Sequence, residues 1–214
     1  MMPHVMAGMM PYVVAGMMPT CYGRYLNDIS SLLCDQGGAV THAEYGDLGS
    51  EADVPDPTTG LTLRHRTAML RTWNLVRPDL KEHGANFFVR LFRSEPSLKT
   101  RFKGFANKTN EELLSNKRLA AHGTTVFMSI TSLVENLDDV LVLVELVKNI
   151  AANHKRRGIP KQDFELLSPV LTNYLRDNLG SAWTPLAEEA WTQAFKVIVS
   201  VTFSTYEAPE SQQS

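Results

Sequence analysis

Two histidines, His122 and His154, each fall on the apolar stripe of a separate helical pattern, and 32 residues separate them. The first stripe repeats at steps of three, four and seven and contains Leu119, Val126, Ile130, Leu133 and Leu137. The second contains Val140, Leu143, Val144, Val147, Ile150 and Ala151. An imidazole on a core-facing stripe is costly unless its nitrogens find partners. Each histidine is therefore either a hydrogen-bonded core residue or one of two facing ligands of a haem iron.

The residues around these histidines favour the haem reading. The sequence FFVRLFRSEP occupies residues 87–96, and Phe102 follows its proline by six positions. His122 is followed directly by Gly123, and a tryptophan lies in the first helical pattern at position 73. Together these features resemble the globin family over residues 61–207. Within that family, the histidine spacing is closest to the neuroglobin, cytoglobin and globin X group.

The resemblance implies a site for haem b. It implies that His154 is the proximal iron ligand, with its other ring nitrogen hydrogen-bonded to a backbone carbonyl one turn earlier. It implies that His122 is the distal histidine, which either donates a hydrogen bond to bound dioxygen or binds the iron as a sixth ligand. The expected apolar contacts of the haem are Phe102, Phe88, Val126, Ile159, Phe164 and Phe105.

The remaining histidines have no comparable pattern. His65 and His83 lie among polar neighbours, and His4 and His42 lie in the first sixty residues, so we interpret all four as non-ligands. The net charge of −2 argues against nucleic acid as a partner.

The first sixty residues differ from the rest in composition. They hold one basic and seven acidic residues, a net charge of −6, whereas residues 61–214 carry a net charge of +4. A Met-Met-Pro unit recurs every eight residues at the start, and its prolines argue against a membrane span or a signal peptide. We predict a disordered extension over residues 1–60, a globin domain over 61–207 and a disordered tail over 208–214. Deleting residues 1–60 should then leave folding intact.

Both cysteines, Cys21 and Cys34, lie in this extension. So few cysteines indicate a reducing, cytoplasmic setting. The alternative is membrane association through the apolar N-terminus or an acylated Cys21.

From Leu61 onward the patterns predict helices alone. Gly84 lies inside the second helical pattern, where glycine is unfavourable, and this predicts a close helix crossing. Gly158 should end the His154 helix, Pro160 should start the next, and Thr184 with Pro185 should begin the last. The fold class is all-α, and the resemblance implies about eight helices around a haem crevice.

Two functions follow from the resemblance. The first is reversible binding of dioxygen, and also of nitric oxide and carbon monoxide, for oxygen storage, supply or sensing. The alternative is a six-coordinate haem redox protein that acts on nitric oxide or nitrite with an external reductase as electron donor. Because the chain carries no flavin or nicotinamide domain, we expect a protein that is not an enzyme, with nitric oxide dioxygenase or nitrite reductase activity at most secondary.

Overall fold

The computed structural model describes residues 48–209, and within them it contains helices and no strand. The α-helices are α1 (Leu63–Val76), α2 (Leu80–Ser94), α3 (Pro96–Lys99), α4 (Asn110–Leu114), α5 (Lys117–Glu135), α6 (Val140–Arg156), α7 (Gln162–Leu179) and α8 (Pro185–Glu207). Short 3₁₀ turns occupy Ser50–Asp53, Arg77–Asp79 and Gly180–Ala182. The predicted all-α class is confirmed. The Met-Pro repeat, Cys21, Cys34 and residues 210–214 lie outside the described residues.

Side-chain caps mark where several of the helices begin. The Thr62 hydroxyl accepts from the His65 backbone N–H, and the His65 ring accepts from the Thr62 backbone N–H. Asn116 caps α5 and Asp139 caps α6 through a side-chain oxygen that accepts from backbone N–H groups of the first turn. At α8 the Thr184 cap with Pro185 in the first turn is confirmed. These polar contacts satisfy N–H groups that a helix start would otherwise leave unpaired.

The end of α6 also follows the prediction. The helix ends at Arg156, and Gly158 takes a φ of 70°, a left-handed conformation that suits glycine. The next helix begins at Gln162 rather than at Pro160. It continues through Pro169, although a proline inside a helix removes one backbone hydrogen bond.

The predicted close crossing at Gly84 is confirmed, and its partner is Gly123. Here α2 passes α5 so closely that a Cβ built on Gly84 would lie 2.4 Å from the Gly123 carbonyl carbon. The reciprocal Cβ on Gly123 would lie 2.5 Å from the Gly84 carbonyl carbon. Only two glycines permit this approach, because the obstacle on each side is backbone and cannot rotate away.

The core lies among α1, α2, α5, α6, α7 and α8. Its largest fully buried side chains are Trp73, Phe87 and Phe127, each at most 1% exposed. Their rings are in contact: Trp73 lies 5.4 Å and Phe87 lies 5.7 Å from Phe127, measured between centroids. The predicted stripe of α5 did not include Phe127. The stripe was drawn through His122 and Val126, whereas the most buried face of the helix lies next to these two residues. Those two side chains are half-buried at the edge of this face.

Residues 51–60 differ from the disordered linker expected there. Ala52 is fully buried and Thr59 is 1% exposed. Asp53 forms an ion pair of 2.7 Å with Arg64 on α1, and the Thr59 carbonyl accepts from Gln193 on α8. The expectation of disorder is therefore wrong for this segment, because small buried side chains and backbone hydrogen bonds hold it to the helices. The predicted start of the folded domain after residue 60 rests on composition, and composition gives no information about such contacts.

Within residues 48–209, no helix combines the length and apolar character that crossing a membrane requires.

Candidate functional site

His154 lies in the last turn of α6, with its ring fixed by the backbone. Its Nδ1 atom lies 2.8 Å from the Ile150 carbonyl oxygen, one turn earlier. A carbonyl only accepts, so Nδ1 carries a proton and donates it, and Nε2 is the ring nitrogen left for a ligand. The expected hydrogen bond to a carbonyl one turn back is thus present. A neutral imidazole with a bare Nε2 is the form that binds iron.

The His154 ring is also packed against α7. Its centroid lies 5.0 Å from that of Phe164 in an edge-on arrangement. The chain between the two residues turns at Gly158, and the Ile159 N–H donates to the His154 carbonyl at 3.1 Å. Ile159 is half-buried. The predicted proximal residues are therefore neighbours around one histidine.

His122 lies next to the glycine crossing, and this places its ring against α2. The His122 centroid lies 4.8 Å from that of Phe88 and 5.2 Å from that of Phe102. Burial, chiefly, lowers the pKa of His122 below its usual value, and the neighbouring His154 and Arg157 act in the same direction. His122 is therefore neutral at physiological pH, as an iron ligand or a hydrogen-bond donor to a bound gas requires.

Phenylalanines form a wall around His122. Phe88 lies 5.8 Å from Phe102, and Phe102 stacks on Phe105 at 5.8 Å with an interplanar angle of 21°. Phe88 and Phe105 are buried, whereas Phe102 is half-buried. Val126, one turn after His122, packs half-buried against the core. This wall is apolar and aromatic, as a porphyrin face requires.

The predicted residues thus form two groups. Phe88, Phe102 and Phe105 gather around His122, and Phe164 with Ile159 gathers around His154. The donor set fits a haem, because His154 has Nε2 left for a metal and the other group supplies a neutral imidazole within an apolar wall.

The sequence reasoning missed two contributors at this site. The Tyr206 hydroxyl donates to the Ile159 carbonyl at 2.7 Å, and its ring lies 6.4 Å from Phe164. Arg101 and Asp163 form an ion pair of 3.3 Å, immediately before Phe102 and Phe164 in the chain. Tyr206 lies at the end of the apolar stripe of α8. A hydroxyl-bearing residue at that position was the sequence feature that could have identified it. No sequence feature indicated the ion pair, because its partners are 62 residues apart in the sequence.

Comparisons with known proteins agree with this arrangement. A family model described as Globin matches residues 85–202, more than half of the chain. A globin of Nerita albicilla is 27% identical over 146 residues, which cover 68% of this chain and 93% of the relative. A neuroglobin of Danio rerio is 31% identical over 130 residues, which cover 60% and 82% of the two chains.

A third relative corrects one expectation. The anaerobic nitrite reductase HBII of Casuarina glauca is 26% identical over 144 residues, which cover 66% of this chain and 89% of the relative. Our expectation that the protein is not an enzyme is overturned by this match, because a relative of this kind is itself named as an enzyme. The absence of a reductase domain was a poor guide, since electrons can come from a separate donor. The histidine pair, the aromatic wall and these matches together place the chain in the globin family, whose members bind diatomic gases at a haem.

Proposed function

We propose that this globin binds dioxygen reversibly at a haem b whose iron is held by His154, for oxygen storage, supply or sensing. The observation that carries the proposal is the Nδ1 hydrogen bond of His154 to the Ile150 carbonyl, which directs a bare Nε2 away from its own helix. The haem, when bound, supplies an iron that coordinates a diatomic gas. In this proposal nitric oxide and carbon monoxide are competing ligands of the same iron, and the protein acts in the cytoplasm.

The residues of the chain set the conditions for that chemistry. His154 anchors the haem, and its hydrogen bond to Ile150 orients the ring and strengthens it as a ligand. Phe102, Phe105 and Phe88 exclude water from the distal side, while Ile159 and Phe164 pack the proximal edge. Val126 limits the size of the distal space. An apolar, dry surrounding slows the oxidation of ferrous iron that free water and protons promote.

We propose that His122 is the sixth ligand of the resting iron and gives way to an incoming gas. Its neutral state and its position between Phe88 and Phe102 support this role. The alternative is that His122 stays off the iron and donates a hydrogen bond to bound dioxygen. Both roles use the same neutral imidazole, and helix placement on a sub-ångström scale decides between them.

The second candidate function is reduction of nitrite, or oxidation of nitric oxide by bound dioxygen, with an external electron donor. The match to a relative named as a nitrite reductase favours it. Reduction of nitrite to nitric oxide consumes one electron and two protons and releases one water, so a donor protein must supply the electron. A neutral His122 beside the iron can deliver a proton only after taking one from solvent.

The visible absorption spectrum of the purified protein tests the assignment. We expect a Soret band after reconstitution with haemin, and two sharp visible bands on anaerobic reduction, which indicate His122 on the iron. A single broad band would instead indicate five-coordinate iron and a hydrogen-bonding role for His122. Absence of any Soret band would refute the proposed function. Anaerobic nitrite added to the ferrous protein should give the nitrosyl spectrum if the second function holds.

The variant His154→Ala tests the anchor. In our proposal the bond from His154 to the iron is present in both the resting and the gas-bound state. Because this variant removes that bond, we expect it to lose tight haem binding. Haem content is measured by the ratio of Soret to protein absorbance after gel filtration. The matched control is His65→Gln, which changes a histidine that caps α1 and should leave haem content unchanged. Full haem retention by His154→Ala would contradict the assignment.

A further inference from the structure

The segment that follows His154 carries four cations, which are Lys155, Arg156, Arg157 and Lys161. The two arginines donate to Asn153 on their own helix, at 2.5 and 2.7 Å. The two lysines instead contact the C-terminal end of α8, which lies 53 and 46 positions further along the chain. The lysines therefore join the turn after His154 to a second helix, and the arginines do not.

Each lysine binds a different group at the end of α8. The Lys155 Nζ atom donates to the Ala208 carbonyl oxygen at 3.2 Å. The Lys161 Nζ atom donates to Glu207 Oε1 at 2.6 Å and lies 4.5 Å from the centroid of the Phe203 ring. The Lys161 side chain is only 25% exposed, so its amine is held against the helix rather than free in solvent.

The end of α8 has an electrostatic need for these lysines. The C-terminal end of a helix carries a partial negative charge, because its last carbonyl groups lack partners within the helix. The last turn of α8 contains no basic residue, and the helix ends on the acidic Glu207. A lysine near such an end stabilises it by binding the carbonyl groups and by opposing the helix dipole. Here both lysines come from the turn after His154.

The turn between the two lysines transmits their position to His154. The Gly158 N–H donates to the Lys155 carbonyl at 2.9 Å, and the Ile159 N–H donates to the His154 carbonyl at 3.1 Å. Because these bonds close the turn on itself, a displacement of either lysine displaces the backbone of His154. The His154 ring follows its backbone, since its Nδ1 atom is bonded to the carbonyl of Ile150 on the same helix.

We propose that Lys155 and Lys161 are positioning residues that clamp the turn after His154 to the end of α8, and so hold the His154 ring in the orientation that an iron ligand requires. The clamp consists of the contacts Lys155–Ala208 and Lys161–Glu207. It acts through the backbone of the turn, and the strength of the bond from His154 to the iron depends on it. This inference rests on the proposed haem function.

The test combines Lys155→Met with Lys161→Met in the full chain carrying His122→Leu, so that the ferrous iron is five-coordinate. Resonance Raman spectroscopy measures the stretching band of the bond between His154 Nε2 and the iron. We expect this band to move to lower frequency, and haem transfer to apomyoglobin to be about threefold to tenfold faster. The matched control is Lys148→Met, because Lys148 lies on the same helix and pairs at 2.7 Å with Glu145 of that helix. An unchanged band and transfer rate would overturn the proposal.

A charge reversal separates the ion pair from the side chains that form it. Lys161→Glu alone places a second carboxylate beside Glu207, so we expect the same band shift as in the methionine variant. Adding Glu207→Lys restores a pair of opposite charges across the same gap and should return the band towards its original frequency. A band that stays shifted in the double variant would show that the attraction between the two charges is not what holds the turn, and would overturn the proposal.

Hydrogen exchange in the haem-free protein separates this inference from the haem function. The backbone N–H groups of Arg157, Gly158 and Ile159 close the turn, and we expect them to exchange faster when both lysines are methionine than in Lys148→Met. Unchanged exchange would overturn the clamp. If the wild-type protein binds no haem, the proposed function fails, yet exchange still decides whether the lysines hold the turn. Faster exchange with an unchanged iron–histidine band would overturn the positioning role.

Discussion

At the scale of single residues, the chemistry of this protein depends on what each histidine contacts. His154 donates to the Ile150 carbonyl, His122 lies between two phenylalanines, His65 caps a helix, and His83 meets Tyr174. The same side chain thus makes a backbone hydrogen bond at 154, aromatic contacts at 122, a helix cap at 65 and a hydrogen bond with a phenol at 83. Those four roles follow from the hydrogen-bond partner and the degree of burial, because these determine which nitrogen carries the proton and whether the ring can be charged.

Replacing His122 by leucine removes both of its proposed roles. We expect the ferrous protein of His122→Leu to become five-coordinate and to keep its haem, since His154 still binds the iron. A hydrogen bond to a charged group is worth about 1.5–3 kcal/mol, so dioxygen should dissociate about tenfold to a hundredfold faster than from a wild-type complex that His122 stabilises. Flash photolysis and stopped-flow mixing measure these rates. The control His83→Gln, at a histidine outside the site, should leave them unchanged, and equal rates in His122→Leu would contradict a distal role for this residue.

The hydrogen bonds of Asp56 lead us to predict that the stability of the fold depends on pH. Its Oδ1 accepts from the backbone N–H of Thr59 at 2.8 Å and of Thr58 at 3.0 Å. The hydrogen bond from the Thr59 backbone, chiefly, lowers the pKa of Asp56 against the opposing effect of burial. A carboxyl whose pKa is lower in the folded state stabilises that state above the unfolded pKa, and the contribution disappears as pH falls through the folded value.

We therefore expect Asp56→Asn to lose about 1 kcal/mol of unfolding free energy at pH 7. The difference from wild type should shrink below about pH 4, where the unfolded carboxyl is protonated, and vanish in more acidic solution. Urea unfolding at a series of pH values measures this difference. The exposed Asp138, changed to asparagine, is the control. A loss that is the same at every pH would contradict the assigned role of the charge.

At the scale of helices, the crossing of α2 and α5 is what brings His122 to Phe88. The glycines at 84 and 123 let the two backbones approach, and His122 directly precedes the second of them. The site therefore depends on residues that have no side chain to contribute. The sequence indicated a close crossing at Gly84, but it did not indicate which helix lay on the other side, because periodicity describes one helix at a time.

We expect Gly123→Ala to push α2 and α5 apart, since its Cβ would meet the Gly84 backbone. The extra methyl group should cost a net of about 2 kcal/mol of unfolding free energy, after allowing for the better helix propensity of alanine. The coordination spectrum of His122 should change at the same time. The control is Gly104→Ala, whose Cβ would lie 3.3 Å from the flexible end of Arg118. Unchanged stability and an unchanged spectrum in Gly123→Ala would show that the crossing has no such role.

At the scale of the whole molecule, an ion pair joins two segments of the candidate site that lie far apart in the sequence. Phe102 and Phe164 lie on different segments, and the Arg101–Asp163 ion pair joins them at their preceding residues. Residues 51–60 extend this unit beyond the predicted boundary, because Ala52 and Thr59 are buried against it. The extent of the folded unit is thus a property of contacts between segments.

Two truncated chains test that extent. A chain that begins at residue 48 keeps these contacts, so we expect its unfolding free energy to match that of the full chain. A chain that begins at residue 61 loses the buried Ala52 and Thr59, the Asp53–Arg64 ion pair and the Gln193 hydrogen bond. It should be less stable by about 2–3 kcal/mol, measured by urea unfolding with the same haem content. Equal stability of both chains would contradict this result and support a folded unit that begins at residue 61, as composition predicts.

The sequence by itself determined the helical class, most helix ends and the candidate histidines, because these depend on local signals: apolar periodicity, caps such as Thr184 with Pro185, and a left-handed glycine at 158. The tertiary structure alone decided that Gly84 meets Gly123, that Arg101 meets Asp163, that Tyr206 reaches the Ile159 carbonyl, and that His83 meets Tyr174. Each of these pairs joins residues at least 39 positions apart in the chain, so no local pattern records it. Packing decides such contacts, because the free energy that selects them comes from burying several helix faces at once rather than from any one segment.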